Sequence, residues 1–471
     1  MSTDDQALGT TTSLCPTCLE PVPGTYEHRD GAVYLTRDCA EHGVTSRRVW
    51  GDLEHWEWAS RIGPDIEGES AVCCADGDCG PQSSDRTDLS VDHDHTCVAI
   101  VEVTQDCNLS CSYCFAGSGP GGKQRPASGI VKQFEAVVDH GGARPLQLSG
   151  GEPTVRNDLP ELVSMARDMG IEHVQVNTNG LRLARDATYA EQLADAGVTA
   201  LYLQFDGVTG ETYEAIREVD LWAEKQAAVE AARDAGLSVV LVPTVVPGVN
   251  DDEMGDVVRF ALDNLDVVSS VNFQPVAQFG RLAERRGRFS LDRVAERLAS
   301  QLDGFQQRDF LPVPCCSSYC QLTAAAVAAP GGPRPLTSYL DEEIYGEIMG
   351  HIDEVDWMEL LAGTQSGAAV ACDSAGCCGI SVPDGLAALA ELVLTINLTG
   401  FMDADAADVD RLENCCLSVV TEDGDLVPFC GYTMTTDDGE YAMRNRHDWG
   451  GRPSVGEPVP DSAEWVPADD D

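Results

Sequence analysis

Three cysteines constrain this chain more than any other feature: Cys107, Cys111 and Cys114, in the run Cys107-Asn108-Leu109-Ser110-Cys111-Ser112-Tyr113-Cys114-Phe115, directly after the apolar segment 98–103. Three thiolates on one tight loop can bind three irons of a cubane and leave the fourth iron without a protein ligand. An open iron suits a cluster that activates a bound molecule, whereas an electron-carrying cluster usually takes four ligands. The competing reading, three unrelated thiols, does not account for the strand before them or the aromatic Phe115 after them. Such a loop needs a fold that ends its strands on one face, as parallel α/β sheets do at their carboxyl ends.

The surrounding pattern meets that demand. Strand-like segments at 98–103, 146–149, 173–177, 200–205, 238–246 and 270–275 alternate with helix-like segments at 129–140, 159–169, 221–235 and 253–265. The alternation predicts an α/β fold, a partial (β/α)6 barrel or open curved sheet, over 96–300. Strands end in turn residues: Gly150-Gly151-Glu152-Pro153, Asn177-Thr178-Asn179-Gly180 and Gln204-Phe205-Asp206-Gly207. Flanking this core are a small cysteine-rich metal-binding unit at 1–95 and a cysteine-bearing unit at 301–449, with an acidic, disordered tail at 450–471. Segment 281–311 reads as helical, and the apolar stretch 385–402, too short for a membrane span, reads as a buried helix.

Charge narrows the partners. Asp and Glu number 79 against 30 Lys and Arg, a formal charge of −49. The acid is spread through periodic apolar segments, which predicts a solvated acidic surface of the salt-adapted, halophilic kind. Such a field argues against nucleic acid as a partner. Residues 1–9 lack the features of a signal peptide, so a cytoplasmic location is expected.

In that compartment 19 cysteines are better read as metal ligands than as disulfides. Cys15-Pro16-Thr17-Cys18 and Cys39-Ala40-Glu41-His42 suit zinc or mononuclear iron. The fourth ligand is either His42 or, with His42 a turn residue, Cys74 or another thiol. Cys73, Cys74, Cys79 and Cys97 supply four thiolates that could bind a second [4Fe–4S] cluster. Cys315, Cys320, Cys372, Cys377 or Cys378, Cys415 or Cys416, and Cys430 offer more, one member of each doublet serving as ligand and its neighbour as core thiol.

The C-x3-C-x2-C run, followed by GGEP at 150–153, resembles the radical S-adenosylmethionine (SAM) superfamily over 96–280. The resemblance implies a catalytic [4Fe–4S] cluster on Cys107, Cys111 and Cys114. Its open iron chelates SAM, and reduction yields a 5′-deoxyadenosyl radical for C–H activation. It further implies a cofactor pocket of Phe115, Gly150, Gly151, Glu152, Asn179, Gln204 and Asp206, with Glu152 accepting from the SAM ammonium. The polar side chains of the 177–180 and 204–207 turns, Asn177, Asn179, Gln204 and Asp206 among them, would face ribose and substrate, and 247–250 the adenine.

Further runs, among them CPTC at 15–18, HTC at 95–97, FMDADAADVDRLENCC at 401–416 and VPFCGY at 427–432, are similar to the archaeal tetraether lipid synthase and dihydro-hydroxymethylpterin methyltransferase-like branch. That likeness implies auxiliary [4Fe–4S] clusters, a mononuclear iron, an electron donor such as ferredoxin, and carbon–carbon bond formation on an archaeal isoprenoid lipid with peripheral membrane contact. The alternatives are radical methylation of a pterin-like small molecule, peptide modification, and a non-catalytic iron–sulfur electron carrier.

Overall fold

The computed structural model describes residues 6–61, 96–140, 142, 144–283, 287–313, 317–329, 332–339, 393–436 and 439–444. The 450–471 tail, Cys73, Cys74, Cys79, Cys315, Cys316, Cys372, Cys377 and Cys378 lie outside them. Four antiparallel strands come first, in sequential order: β1 (Gln6–Leu14), β2 (Pro21–Arg29), β3 (Ala32–Cys39) and β4 (Gly43–Trp50). Helix α1 (Leu53–Ser60) follows, capped by Asp52, whose carboxylate accepts from the backbone N–H of Glu54 and His55.

The central sheet is built from β5 (Val98–Thr104), β7 (Leu146–Gly150), β8 (Val174–Thr178), β9 (Ala200–Gln204), β10 (Ser238–Val242) and β12 (Val268–Pro275), all parallel and in chain order. The short strand β6 (Tyr113–Cys114) lies outside it, and β11 (Thr244–Val245) pairs with β12. The segment read as one strand over 238–246 is interrupted at Pro243, which has no N–H for a ladder. Helices α2 (Ala127–Asp139), α3 (Leu159–Asp168), α4 (Leu181–Arg185), α5 (Ala187–Ala196), α6 (Gly210–Arg217), α7 (Trp222–Asp234) and α8 (Met254–Leu262) fill the crossovers.

Chain from beyond the six units extends the sheet. Strand β13 (Arg281–Leu282) pairs with β6, and among the described residues of 281–311 α9 (Leu291–Gln301) is the one α-helix, so the expected helical stretch is shorter there than its pattern suggested. Strands β14 (Leu311–Pro312), β15 (Gln321–Val327) and β16 (Arg334–Pro335) form an antiparallel edge. Strand β17 (Val393–Thr399) inserts between β12, to which it is parallel, and β15. This corrects the helix expected at 385–402 over its described part. The period there is two: Leu394, Ile396 and Leu398 are 0% exposed on one face, and Thr395, Asn397 and Thr399 occupy the other. At the opposite edge, β18 (Leu417–Val420) runs parallel to β5 and β19 (Leu426–Pro428) antiparallel to β18. Between β17 and β18 lies helix α10 (Val409–Glu413), and α11 (Phe429–Thr433) ends the series.

The two faces of this sheet differ. Alternate residues such as Leu148, Val176, Leu203, Leu241, Phe273 and Ile396 pack against Phe134, Val163, Leu193, Ala232, Val258 and Leu298 of the helices. The other set of alternates faces a cavity. Among the described residues no helix is long and apolar enough to cross a membrane.

Candidate active site

Beyond β5 the chain turns into the triad loop, which is tied down from several sides. Cys107 N–H donates to Gly119 O (3.2 Å), and Arg281 Nη1 donates to Cys111 O (3.1 Å). Gly280 sits at φ +72°, and a Cβ there would lie 2.3 Å from Cys114 O, so the close pass of β13 over β6 requires glycine. From the far end of the chain, Tyr441 OH donates to Phe115 O (2.8 Å). Arg444 reaches both Ala116 O and the buried Glu102 of β5, at 2.8 Å from its Oε1.

Cys107, Cys111 and Cys114 line one cavity of about 490 Å³ together with Phe115, Gly150, Gly151, Glu152, Asn179 and Gln204. Burial pushes the Cys107 and Cys111 thiols upward, with Glu152 adding to the effect on Cys107 and Arg217 opposing it on Cys111.

The glycines of the GGEP turn serve the protein's own packing. Gly150 is at φ +120°, and Cβ atoms on Gly150 and Gly151 would lie 2.1 Å from Thr104 O and 2.3 Å from Asp106 O. The turn is thereby drawn against the chain entering the triad loop, with Gly151 N–H donating to Thr104 O and Glu152 N–H to Asp106 O. Glu152, 2% exposed, accepts from Thr154 Oγ1 (2.6 Å) and Thr178 Oγ1 (2.7 Å) on one oxygen and from Asn179 N–H (2.7 Å) on the other. It therefore latches the ends of β7 and β8 while still facing the cavity. Asn179 Nδ2 donates to Asn108 Oδ1 (2.7 Å), joining β8 to the triad loop.

Asp206 is placed otherwise than expected. Its carboxylate is buried under the cavity lining, accepting twice from Arg217 and once from Thr244 N–H, so it does not face the cavity. Gln204 does face it, and donates to Asp206 while accepting from Lys225 Nζ (3.1 Å). Lys225 is fully buried, donates to Asn179 O (2.7 Å), and has its pKa pulled down to about 8 by burial. Asn250 likewise holds backbone, donating to Asp206 O and Thr244 O, and residues 247–250 do not line the cavity. Sequence reasoning missed Arg217 and Lys225. The scarcity of lysine was a signal, since one of so few sits in the core.

A second set of thiols faces the same cavity: Cys97, Cys320, Cys415, Cys416 and Cys430. The two flanking cysteine groups thus meet in space, with Cys97 N–H donating to Cys416 O (2.8 Å). Both members of the 415–416 doublet reach the cavity, against the expectation that one would be a core thiol. Arg411 Nη2 donates to Cys320 Sγ (3.0 Å), and burial pushes Cys430 up to about 12.

In the four-stranded unit, Cys15, Cys18, Cys39 and His42 bring their ligand atoms within 4.8 Å of one another. His42 Nδ1 lies 3.5 Å from Cys39 Sγ and 3.7 Å from Cys15 Sγ, so among the described residues histidine supplies the fourth ligand atom. The Cys39 thiol is lowered by the backbone N–H of Glu41 and by His42. This unit grips the segment before α10. Arg37 donates to Ala404 O (2.7 Å) and Asp405 O (2.8 Å), and Tyr26 OH to Asp408 (2.5 Å). Asp408 in turn caps the helix that carries Arg411.

Comparison with known proteins gives these features company. Residues 101–261 match the model of the radical SAM superfamily, and residues 7–51 that of the HMPTM N-terminal zinc ribbon domain. The 7,8-dihydro-6-hydroxymethylpterin dimethyltransferase of Methanocaldococcus jannaschii is 34% identical over 479 residues, covering 90% of this chain and 92% of that protein. The GTP 3',8-cyclase of Acidothermus cellulolyticus is 31% identical over 186 residues, 37% of this chain and 51% of that protein. Among solved structures, Streptococcus suis SuiB bound to S-adenosylmethionine aligns over 43% of this chain and 46% of its own at 14% identity, with a TM-score of 0.38.

Proposed function

The chain belongs to the radical SAM superfamily, in its zinc-ribbon-bearing dihydro-hydroxymethylpterin methyltransferase-like branch, and from that premise we propose that it methylates a carbon of a pterin-like heterocycle. The observation that carries the reading is the polar face the sheet turns to the cavity. Gln147, Gln175, Asn177, Asn272, Gln274 and Asn397 all line it. Phe115, Phe279, Phe401 and Phe429 line the same cavity, with Phe401 and Phe429 at 4.9 Å between centroids. Amides and aromatic rings around one cavity suit a flat, hydrogen-bonding ring system.

Cys107, Cys111 and Cys114 would hold the [4Fe–4S] cluster, which with SAM supplies one-electron radical chemistry on reduction by a low-potential donor. The chain's own residues prepare the place for it. Arg217 sets a positive charge beside Cys111, favouring the thiolate. Glu152 and Asn179 fix the ends of β7 and β8 against the triad loop, and the phenylalanines keep water from the reacting carbon.

Carbon–carbon coupling on an isoprenoid lipid, the reading the branch first suggested, calls for an apolar channel. The cavity answers in part, since Ile100, Val240, Val242, Val276, Leu282 and Met402 line it beside the phenylalanines, but an alkyl chain would leave the amides of the sheet face unpaired. The test is anaerobic turnover of the iron-loaded enzyme with SAM, a reductant and either 6-hydroxymethyl-7,8-dihydropterin or an isoprenoid glycerol diether. A pterin product heavier by one methylene supports the proposal. Unchanged pterin with a modified diether overturns it.

A further inference from the structure

The deep end of the cavity carries groups that neither the triad nor the turns around it use. Gln147 and Gln175 are each the second residue of their strand, and they are register partners across the parallel β7–β8 pair. Each is 7% exposed and lines the cavity, and neither carboxamide has a hydrogen-bond partner among the described residues. Two residues along β8, on the same face, Asn177 spends its Nδ2 on Ser149 Oγ (3.2 Å) and leaves its Oδ1 buried without a partner.

Buried polar groups are nearly always paired, because burial without a partner forfeits the hydrogen bonds that water would make. Three under-used amides on one face of one strand pair therefore have the character of a surface waiting for a ligand. We propose that Gln147, Gln175 and Asn177 form the recognition floor of the substrate site, reading the donor–acceptor edge of a 2-amino-4-oxopyrimidine ring. A glutamine carboxamide offers an acceptor oxygen beside an NH₂ donor, the complement of an amino group next to a lactam. Gly150, at the triad end of β7, lies three positions beyond Gln147, about 10 Å at the rise of a strand. A fused bicycle held by that edge and lying along the strands would direct its far carbons toward the triad. The identity of the ring rests on the pterin-like reading above, and its placement rests on the amides.

The test uses the iron-loaded protein and its Gln147→Leu and Gln175→Leu variants, with calorimetric binding of 6-hydroxymethyl-7,8-dihydropterin and of guanosine, which carries the same edge on a purine. Expected is a loss of dihydropterin affinity of about tenfold or more in each variant, with SAM affinity unchanged. The ligand-free Tm should hold, since neither carboxamide makes a hydrogen bond within the protein that leucine would remove. Dihydropterin binding that is equal in wild type and variants overturns the floor and leaves the pterin reading standing, as does a Tm that falls in both. Guanosine bound in place of dihydropterin and lost in the variants keeps the floor and moves its ligand to a purine. A wild-type protein that binds neither probe overturns both the floor and the pterin reading.

Discussion

Asp206 and Arg217 meet in a two-pronged ion pair, Oδ2 to Nε and Oδ1 to Nη2, both at 2.7 Å. The aspartate is 0% exposed at its side chain and the arginine 7%. Arg217 also donates to Tyr113 O (3.0 Å), and its charge lowers the Cys111 thiol against the effect of burial, so the pair holds a cation beside the triad. Asp206→Asn would leave that cation without its counter-charge. The expected loss is about 3 kcal/mol of stability, the usual result of removing one partner of a buried pair. Cluster iron per chain should fall as Arg217 leaves Cys111. Unchanged thermal unfolding together with full iron loading would contradict this role.

The ribbon should lose its metal without the triad losing its cluster. His42→Ala removes the fourth ligand of the Cys15, Cys18, Cys39 site. Elemental analysis should then show one metal ion fewer per chain, with the iron and sulfide of the cubane retained. Because Arg37 and Tyr26 hold residues 404–408, amide exchange in that segment and in α10 should quicken in the variant. Protection there identical to wild type would show that the ribbon metal does not support Arg411.

Much of the core was legible because its apolar strands and turn residues recur in the β/α rhythm, and the triad loop declares itself by spacing alone. The strand at 393–399 was missed because the surrounding stretch is apolar enough to be read as a buried helix, although Val393-Leu394-Thr395-Ile396-Asn397-Leu398-Thr399 alternates strictly. Asp206 was assigned to the cavity because it closes a strand, as Gln204 does. Its true partner, Arg217, lies on the following helix, and no spacing announces a pairing made by tertiary packing. Gln147 and Gln175 were overlooked since single glutamines within strands look like surface residues until the sheet is known to enclose a cavity.

His55 should make the junction of ribbon and core acid-sensitive. Its Nδ1 accepts from Trp50 Nε1 (3.3 Å), and burial pulls its pKa from 6.5 to about 4. The unfolded chain takes up a proton near the ordinary value and the folded chain resists it. The contribution is therefore intact above about pH 6.5 and is lost as pH falls toward 4, up to about 3 kcal/mol. His55→Phe should flatten the stability profile between those limits in a pH series of denaturant unfolding. Parallel wild-type and variant profiles would contradict the assignment.

Salt should stabilise the fold. The chain carries −49, and of its few lysines Lys225 is buried, so little positive charge offsets the acid at the surface. Screening shortens from about 10 Å at 0.1 M to about 3 Å at 1 M, which removes most repulsion between exposed carboxylates. Tm should climb steadily as KCl is raised over that range. A Tm independent of salt would remove the case for salt adaptation.

The most direct measurement is anaerobic SAM cleavage by the iron-loaded wild-type protein and by Cys111→Ala, reduced with dithionite in high salt with 6-hydroxymethyl-7,8-dihydropterin present. The expected result is 5′-deoxyadenosine from the wild type, increased by the pterin, and none from the variant although its ribbon metal remains. Cleavage that persists in Cys111→Ala, or a fully loaded wild type that yields no 5′-deoxyadenosine with the pterin, would contradict it.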